Sequence, residues 1–292
     1  MSSRPPRSIS WCRSPVRASS APAPERLANP AAIPDSSFVR LTRCFVSEPL
    51  RAQSVVRLPQ AAAVHIRRVL RLRAGAELIL FDGHGGEYAA TLTEGEPPRA
   101  QLGAHRQIER EAPLPVTLLQ GLARGERMDW IVQKATELGA AAIAPVASRY
   151  SVVQLEAAAA ARRLAHWQAV AIGACEQCGR NRLPLVHPLR ELPAACAEVD
   201  ATLRLLLAPD ADSSLPERLA AALVPGGTAP SIALLVGPEG GLADEEIELA
   251  RRAGFTACTL GPRTLRTETA PLAALAAIQT VAGDFRRPIG LR

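Results

Sequence analysis

From residue 116 to residue 283 the chain alternates short apolar runs with stretches of helical period, and this alternation limits the fold more than any other feature. The predicted strands are Val116–Gly121, Ala141–Val146, Leu203–Ala208, Ile232–Val236 and Thr256–Leu260. Several are almost continuously apolar, as strands buried on both faces of a parallel sheet are. Between them, Glu126–Leu138 places Met128, Ile131, Val132, Ala135 and Leu138 on one helical face. Glu156–Cys175 is a long Ala-rich helix, and Asp244–Ala253 is another. Leu272–Ala282 is the last, with Pro271 in its first turn and Gly283 at its end. Strand and helix in alternation predict an α/β domain, with a mostly parallel sheet.

The rest of the chain has a different character. Residues 41–112 read as a small β-rich domain, in which Glu77–Leu92 is two apolar runs around a Gly-rich turn, the signature of a hairpin. Before it, Ala61–Arg73 forms a short helix carrying His65, Arg67, Arg68, Arg71 and Arg73. Such an arginine cluster suits either a phosphate-facing surface or a solvated face. Gly103–Pro115 reads as a linker. Residues 1–38 are rich in Pro, Ser and Arg and carry neither helical nor strand period, so they read as a disordered extension. That extension is either a transit-like segment or a mis-called upstream start before Val39. The Arg- and Ala-rich composition, with Lys134 the only lysine, favours the second and a bacterial, cytoplasmic protein.

Charge follows the same partition. The chain carries +6 in all. Residues 1–40 hold six Arg against Glu25 and Asp35, residues 41–112 hold ten Arg against eight acids, and residues 113–292 balance at 18 of each sign. No uncharged apolar run approaches the roughly 18 residues that span a bilayer, so no membrane is expected. The six cysteines are scattered, and no disulfide framework is predicted.

Two loops carry the strongest chemical signal. Leu234–Leu242 runs a buried strand into Gly237, Pro238, Glu239, Gly240 and Gly241, then into a helix opened by Asp244 and Glu245. Ligands of open α/β sheets bind beyond the carboxyl ends of strands, and glycines there let a ligand approach the backbone. Leu260–Pro271 also joins a strand to a helix and is too long and polar for a mere turn. In it Arg263 and Arg266 are candidate anion clamps, and Glu268 is either a base or a helix-terminal charge. Neither GxGxxG nor the Walker pattern is present, so nucleotide phosphate binding is not indicated. The third stretch, Ala174–Arg182, holds one CxxC without further ligands, too little for zinc. It reads instead as a helix end that presents Arg180 and Arg182 to an anion. No histidine spacing suggests a metal.

Taken in order, seven blocks resemble one family, the RsmE-type 16S ribosomal RNA uridine-N3 methyltransferases of the SPOUT superfamily. They are Arg43-Cys-Phe-Val, His65-Ile-Arg-Arg-Val-Leu-Arg-Leu, Leu80-Phe-Asp-Gly, Gln133-Lys-Ala-Thr-Glu-Leu-Gly, Cys175-Glu-Gln-Cys-Gly-Arg, Leu235-Val-Gly-Pro-Glu-Gly-Gly and Leu260-Gly-Pro-Arg-Thr-Leu-Arg-Thr-Glu-Thr-Ala. Pro271 departs from the small residue expected there, but it fits the first turn of a helix. The resemblance implies a PUA-like β-barrel over residues 39–112 that holds RNA. It implies a trefoil-knotted SPOUT domain over 113–287 and a homodimer built on the knot and last helix. It further implies S-adenosylmethionine bound by loops at Leu207, Ala208, Gly237–Gly241, Leu260, Gly261, Leu265, Arg266, Thr267 and Thr269. The substrate would be 16S rRNA or the assembled small subunit.

Within that frame Leu242, Leu260 and Leu265 suit the walls of an adenine site. Uracil N3 carries a proton, so the site must remove it or stabilise the anion. Arg266 is the first choice for stabilising that charge, and Glu268 is a candidate base. Arg43, Arg67, Arg68, Arg71, Arg124, Lys134, Arg180 and Arg182 are the candidate RNA contacts, with Glu137 and Gln177 orienting them or serving the fold. The competing functions are a non-catalytic RNA-binding or ribosome-assembly protein, and a dinucleotide oxidoreductase, against which the absent GxGxxG counts.

Overall fold

The computed structural model describes residues 41–151, 157–223 and 230–286, which leaves the expected N-terminal extension outside the described residues. The N-terminal part is β1 (Thr42–Phe45), β2 (Val55–Arg57), α1 (Gln60–Val64), β3 (Glu77–Phe81), β4 (Glu87–Thr93) and β5 (Arg99–Arg106). They form one five-stranded sheet in the order β1-β3-β4-β5-β2, antiparallel except for the parallel β1–β3 pair. The sheet is a half-barrel wrapped around Val46, Leu58, Ile66, Leu78, Leu80 and Leu102. The Gly-rich hairpin is present, and Gly86 (φ 66°) is required at its end: a Cβ there would lie 2.7 Å from the Arg106 carbonyl oxygen.

Two expectations are corrected here. The helix expected over Ala61–Arg73 is α1 plus one wider turn, in which the Leu70 and Leu72 amides donate to the His65 and Ile66 carbonyls and Arg71 (φ 54°) turns the chain left-handed. The linker expected from Gly103 begins later, because β5 pairs with β4 as far as Arg106 opposite Glu87.

The second part comprises β6 (Val116–Gly121), α2 (Arg127–Glu137), β7 (Ala142–Ala147), α3 (Ala157–Cys178), β8 (Leu185–Val186) and β9 (Arg190–Glu191). It continues with α4 (Leu192–Glu198), β10 (Leu203–Leu207), α5 (Leu215–Ala222), β11 (Ile232–Val236), α6 (Asp244–Arg252), β12 (Thr256–Cys258) and α7 (Thr269–Val281). Its seven strands are all parallel, in the order β12-β10-β11-β6-β7-β8, with β9 also on β7. Successive strand residues serve opposite faces. Leu118, Leu205 and Leu234 pack with Met128, Ile131, Leu275 and Ile278 of α2 and α7. Leu119, Leu206 and Leu235 pack with Cys196 and Ala250 of α4 and α6. Helices on both faces are why these strands read as near-continuous apolar runs.

The chain order β10-β11-β12 becomes the spatial order β12-β10-β11, so the loops leaving these three strands emerge side by side at one sheet edge. Among the described residues no helix is long and apolar enough to cross a membrane.

Candidate functional site

The loops after β10, β11 and β12 enclose a cleft of about 520 Å3. Leu207 and Ala208 line it from the first loop, Gly237, Pro238, Glu239, Gly240 and Gly241 from the second, and Leu260, Gly261, Leu265, Arg266 and Thr267 from the third. Leu206 and Leu242 add apolar wall. Thr269 is corrected: α7 begins there, one turn earlier than expected, and its exposed side chain stays out of the lining. Gly241 (φ 72°) and Gly261 (φ 102°) occupy left-handed conformations that favour glycine.

Two residues that sequence reasoning missed hold these loops. Gln120, fully buried at the end of β6, donates its amide to the Thr267 hydroxyl at 3.2 Å and to the Gly237 carbonyl at 3.4 Å. The Thr267 hydroxyl in turn donates to Gly237 O at 2.9 Å. Arg127 in the first turn of α2 donates to Glu239 at 2.7 Å, and its Nε lies 3.6 Å from Glu268 Oε2. The one legible signal was Gln120 itself, a polar side chain inside an apolar strand. Arg127 gave none, because a charge in a helical stretch usually faces water.

Arg266 and Glu268 both line the cleft. Arg266 is exposed, and among the described residues no carboxylate pairs with it. Glu268 occupies the N-cap position of α7 in helical conformation, and its side chain makes no cap hydrogen bond. Its charge still stands at the helix N-terminus, so both sequence readings, base and helix-terminal charge, fit this position; Oε2 is buried without a hydrogen-bond partner. Glu239 is pushed up by burial. The amides of Arg124 and of Glu239 itself, together with the Arg127 guanidinium, outweigh that and hold it below the usual carboxylate value.

The arginines proposed for RNA divide into two groups. Arg43 and Arg180 are corrected, since both are almost completely buried and spend their guanidinium groups within the chain. Arg43 pairs with Glu87 at 2.5 Å and donates to Asn181 Oδ1 at 2.5 Å. Arg180 pairs with Glu111 and donates to the carbonyls of Thr136 and Ala140, both at 2.9 Å. With buried Asn181 donating to Ile108 O, these residues make a polar junction between the two sheets, so the Cys175–Arg182 block binds the chain to itself. Burial raises Glu87, but hydrogen bonding and charge from Arg43, with Arg110, more than reverse it and hold its carboxyl low.

Arg182, Arg67, Arg71 and Arg124 remain on the surface. Arg182 lies 3.3 Å from Glu109, and Arg67 pairs with exposed Glu96. Lys134 is half-buried, bonded to Glu137 at 2.8 Å and 5.8 Å from the centre of the exposed Trp130 ring. Glu137 thus serves the lysine rather than an arginine. The Arg68 side chain lies outside the described residues. Cys175 is a buried thiol raised to about 12, chiefly by burial, and all the described cysteines are free.

Comparison with known proteins identifies the frame in which these residues work. An RNA methyltransferase domain matches residues 110–279, and an RNA methyltransferase PUA domain matches residues 58–103. The ribosomal RNA small subunit methyltransferase E of Synechocystis is 35% identical over 248 residues, which cover 84% of this chain and 80% of that protein. Its Bacillus subtilis counterpart is 34% identical over 223 residues, covering 73% of this chain and 85% of the relative. The crystal structure of the Neisseria gonorrhoeae ribosomal RNA small subunit methyltransferase E bound to S-adenosylmethionine superposes with a TM-score of 0.75 at 38% identity, covering 84% of this chain and 99% of that one. The chain therefore belongs to the ribosomal RNA small subunit methyltransferase E family.

Proposed function

We propose that this protein transfers a methyl group from S-adenosylmethionine to N3 of a uridine in 16S rRNA, acting on the RNA or the assembled small subunit. The observation that carries the reading is the convergence of three strand-end loops on one cleft that also holds Arg266 and Glu268. The lining suits the cofactor. Its volume is in the range of small-molecule sites, its walls are leucines, and its glycine-rich backbone leaves room for close approach. The cofactor supplies an activated methyl group, which needs no metal.

The chain must then align N3 behind that methyl. Arg266 stabilises the negative charge that develops on the uracil, and Glu268, which lines the cleft, accepts the N3 proton. The target base leaves its stack to reach the cleft. Arg67, Arg71, Arg124, Lys134 and Arg182 hold the surrounding phosphates, with the residue 39–112 lobe as the RNA-holding part and residues 113–287 as the transfer domain. A trefoil-knotted path through the cofactor loops, a homodimer and a bacterial cytoplasmic location belong to the same reading.

The test is methylation of small subunits with labelled cofactor. Removing one preorganised charge-stabilising group costs about 100-fold or more in rate, so Arg266→Ala should lose that much while still binding cofactor. An unchanged rate would remove Arg266 from the mechanism. Salt-sensitive RNA binding with no cofactor affinity in the wild-type protein would instead make it a non-catalytic binding protein.

A further inference from the structure

Two carboxylates, Glu239 from the loop after β11 and Glu268 from the loop after β12, line one cleft. Like charges in one cleft repel, and each loop is long enough to relax away. Both side chains are instead gathered by one group. Arg127 donates from Nη1 to Glu239 Oε1 at 2.7 Å, and its Nε stands 3.6 Å from Glu268 Oε2. The Arg124 amide donates to the same Glu239 oxygen at 3.0 Å. The same loops are tied by Gln120 at the Gly237 carbonyl and the Thr267 hydroxyl, two residues before one carboxylate and one before the other.

The Arg127–Glu268 contact is a charge contact, too long for a hydrogen bond. It holds the carboxylate by its buried oxygen, Oε2, which makes no hydrogen bond. Arg127 itself is not among the cleft-lining residues.

We propose that Arg127 is a positioning residue for methyl transfer: it holds the Glu239 and Glu268 carboxylates at a fixed separation, which keeps the cofactor loop in place and Glu268 at the cleft wall. This rests on the reading of the cleft given above. A guanidinium suits the task because its rigid fork offers Nη1 and Nε in fixed directions to two partners, whereas a lysine offers a single point charge.

The test uses Arg127→Ala and Arg127→Lys in the full chain, each checked by thermal unfolding. Calorimetry with S-adenosylhomocysteine reads the loop. Arg127→Ala should weaken this binding about threefold to tenfold, the range for losing a partly exposed charged hydrogen bond. Glu239→Gln added to Arg127→Ala should weaken it little further, because both act through one contact. Single-turnover methylation reads the placement of Glu268. Arg127→Ala should slow it by about 10- to 100-fold, as misplaced reacting groups do, with the KM for RNA nearly unchanged and Arg127→Lys regaining part of the rate.

The proposal is overturned if Arg127→Ala leaves both product affinity and single-turnover rate within experimental error of wild type. It is equally overturned if its losses merely follow a lowered Tm and Arg127→Lys regains none of them. A wild-type protein that binds S-adenosylhomocysteine but methylates no RNA would sink the functional reading alone. The calorimetric effect of Arg127→Ala would then still decide the loop-holding claim.

Discussion

Gly121 is the residue through which the sheet dictates where the loop after β11, proposed to hold the cofactor, can lie. It ends β6, directly beneath the turn at Gly237 and Pro238. A Cβ on residue 121 would sit 2.5 Å from both the nitrogen and the Cδ of Pro238, and 2.9 Å from the Gly237 carbonyl carbon. These atoms are backbone and a closed ring, so no flexible side-chain end can yield. Ordinary contact begins near 3.4 Å, so Gly121→Ala forces the loop away by about 0.9 Å, the difference between the two distances. Gln120 and Thr267 resist that shift by holding the Gly237 carbonyl from below.

Overpacking of this kind costs about 1–3 kcal/mol. Because the strained loop is the one assigned to the cofactor, much of the cost should appear in binding, as a Kd raised about 5- to 150-fold at 1.4 kcal/mol per tenfold. Calorimetric titration of Gly121→Ala with S-adenosylmethionine, beside a thermal melt, measures both shares. A variant with wild-type Kd and wild-type Tm would refute the reasoning, since the overlap would then be absorbed at no cost. A lowered Tm with unchanged Kd would show that the displaced loop does not touch the cofactor.

Four further outcomes are expected. Gly173 lies exposed in α3 with nothing within 4 Å of an added Cβ, so Gly173→Ala should stabilise the protein by about 0.5–1 kcal/mol, read as a small rise in Tm. Arg43→Ala should destabilise by about 1–3 kcal/mol in denaturant titration, because it leaves the buried Glu87 carboxylate with only its longer contacts to Arg110 and Asn181. Arg182→Ala, at an exposed pair with Glu109, should change stability by less than about 1 kcal/mol. Glu87 also sets an acid limb. Its folded-state carboxyl is held below the usual 4.5, so its contribution is complete above about pH 4.5 and is lost as pH falls through the lowered value. Glu87→Gln should therefore flatten the loss of Tm on acidification below pH 4.5, and an unchanged slope would show that Glu87 is not the group titrating.

What the sequence made legible follows from which interactions are local. The five parallel strands were readable because burial on both faces leaves little room for polar residues, as Leu234 and Leu235 show by packing on opposite sides. The cleft-lining loops were readable because glycine and proline at a strand end announce an unusual backbone. The two-residue strands β8 and β9 were not, because their pairing with β7 is a tertiary event without sequence period. Two of the arginines, Arg43 and Arg180, were misread for the same reason. Nothing near Arg43 or Arg180 announces Glu87 or Glu111, 44 and 69 residues away along the chain, which turn both guanidinium groups inward. The Arg127–Glu239 contact was equally hidden, since Glu239 lies 112 residues further on. An exposed arginine and a buried one look alike until the fold supplies the partner.

The central claim is the reaction itself, and nucleoside mass spectrometry of 16S rRNA from cells with and without the gene tests it most directly. The account predicts that 3-methyluridine disappears from the small-subunit RNA when the gene is removed. It should return with the wild-type gene but not with Arg266→Ala. A nucleoside profile unchanged by removal of the gene would contradict the account.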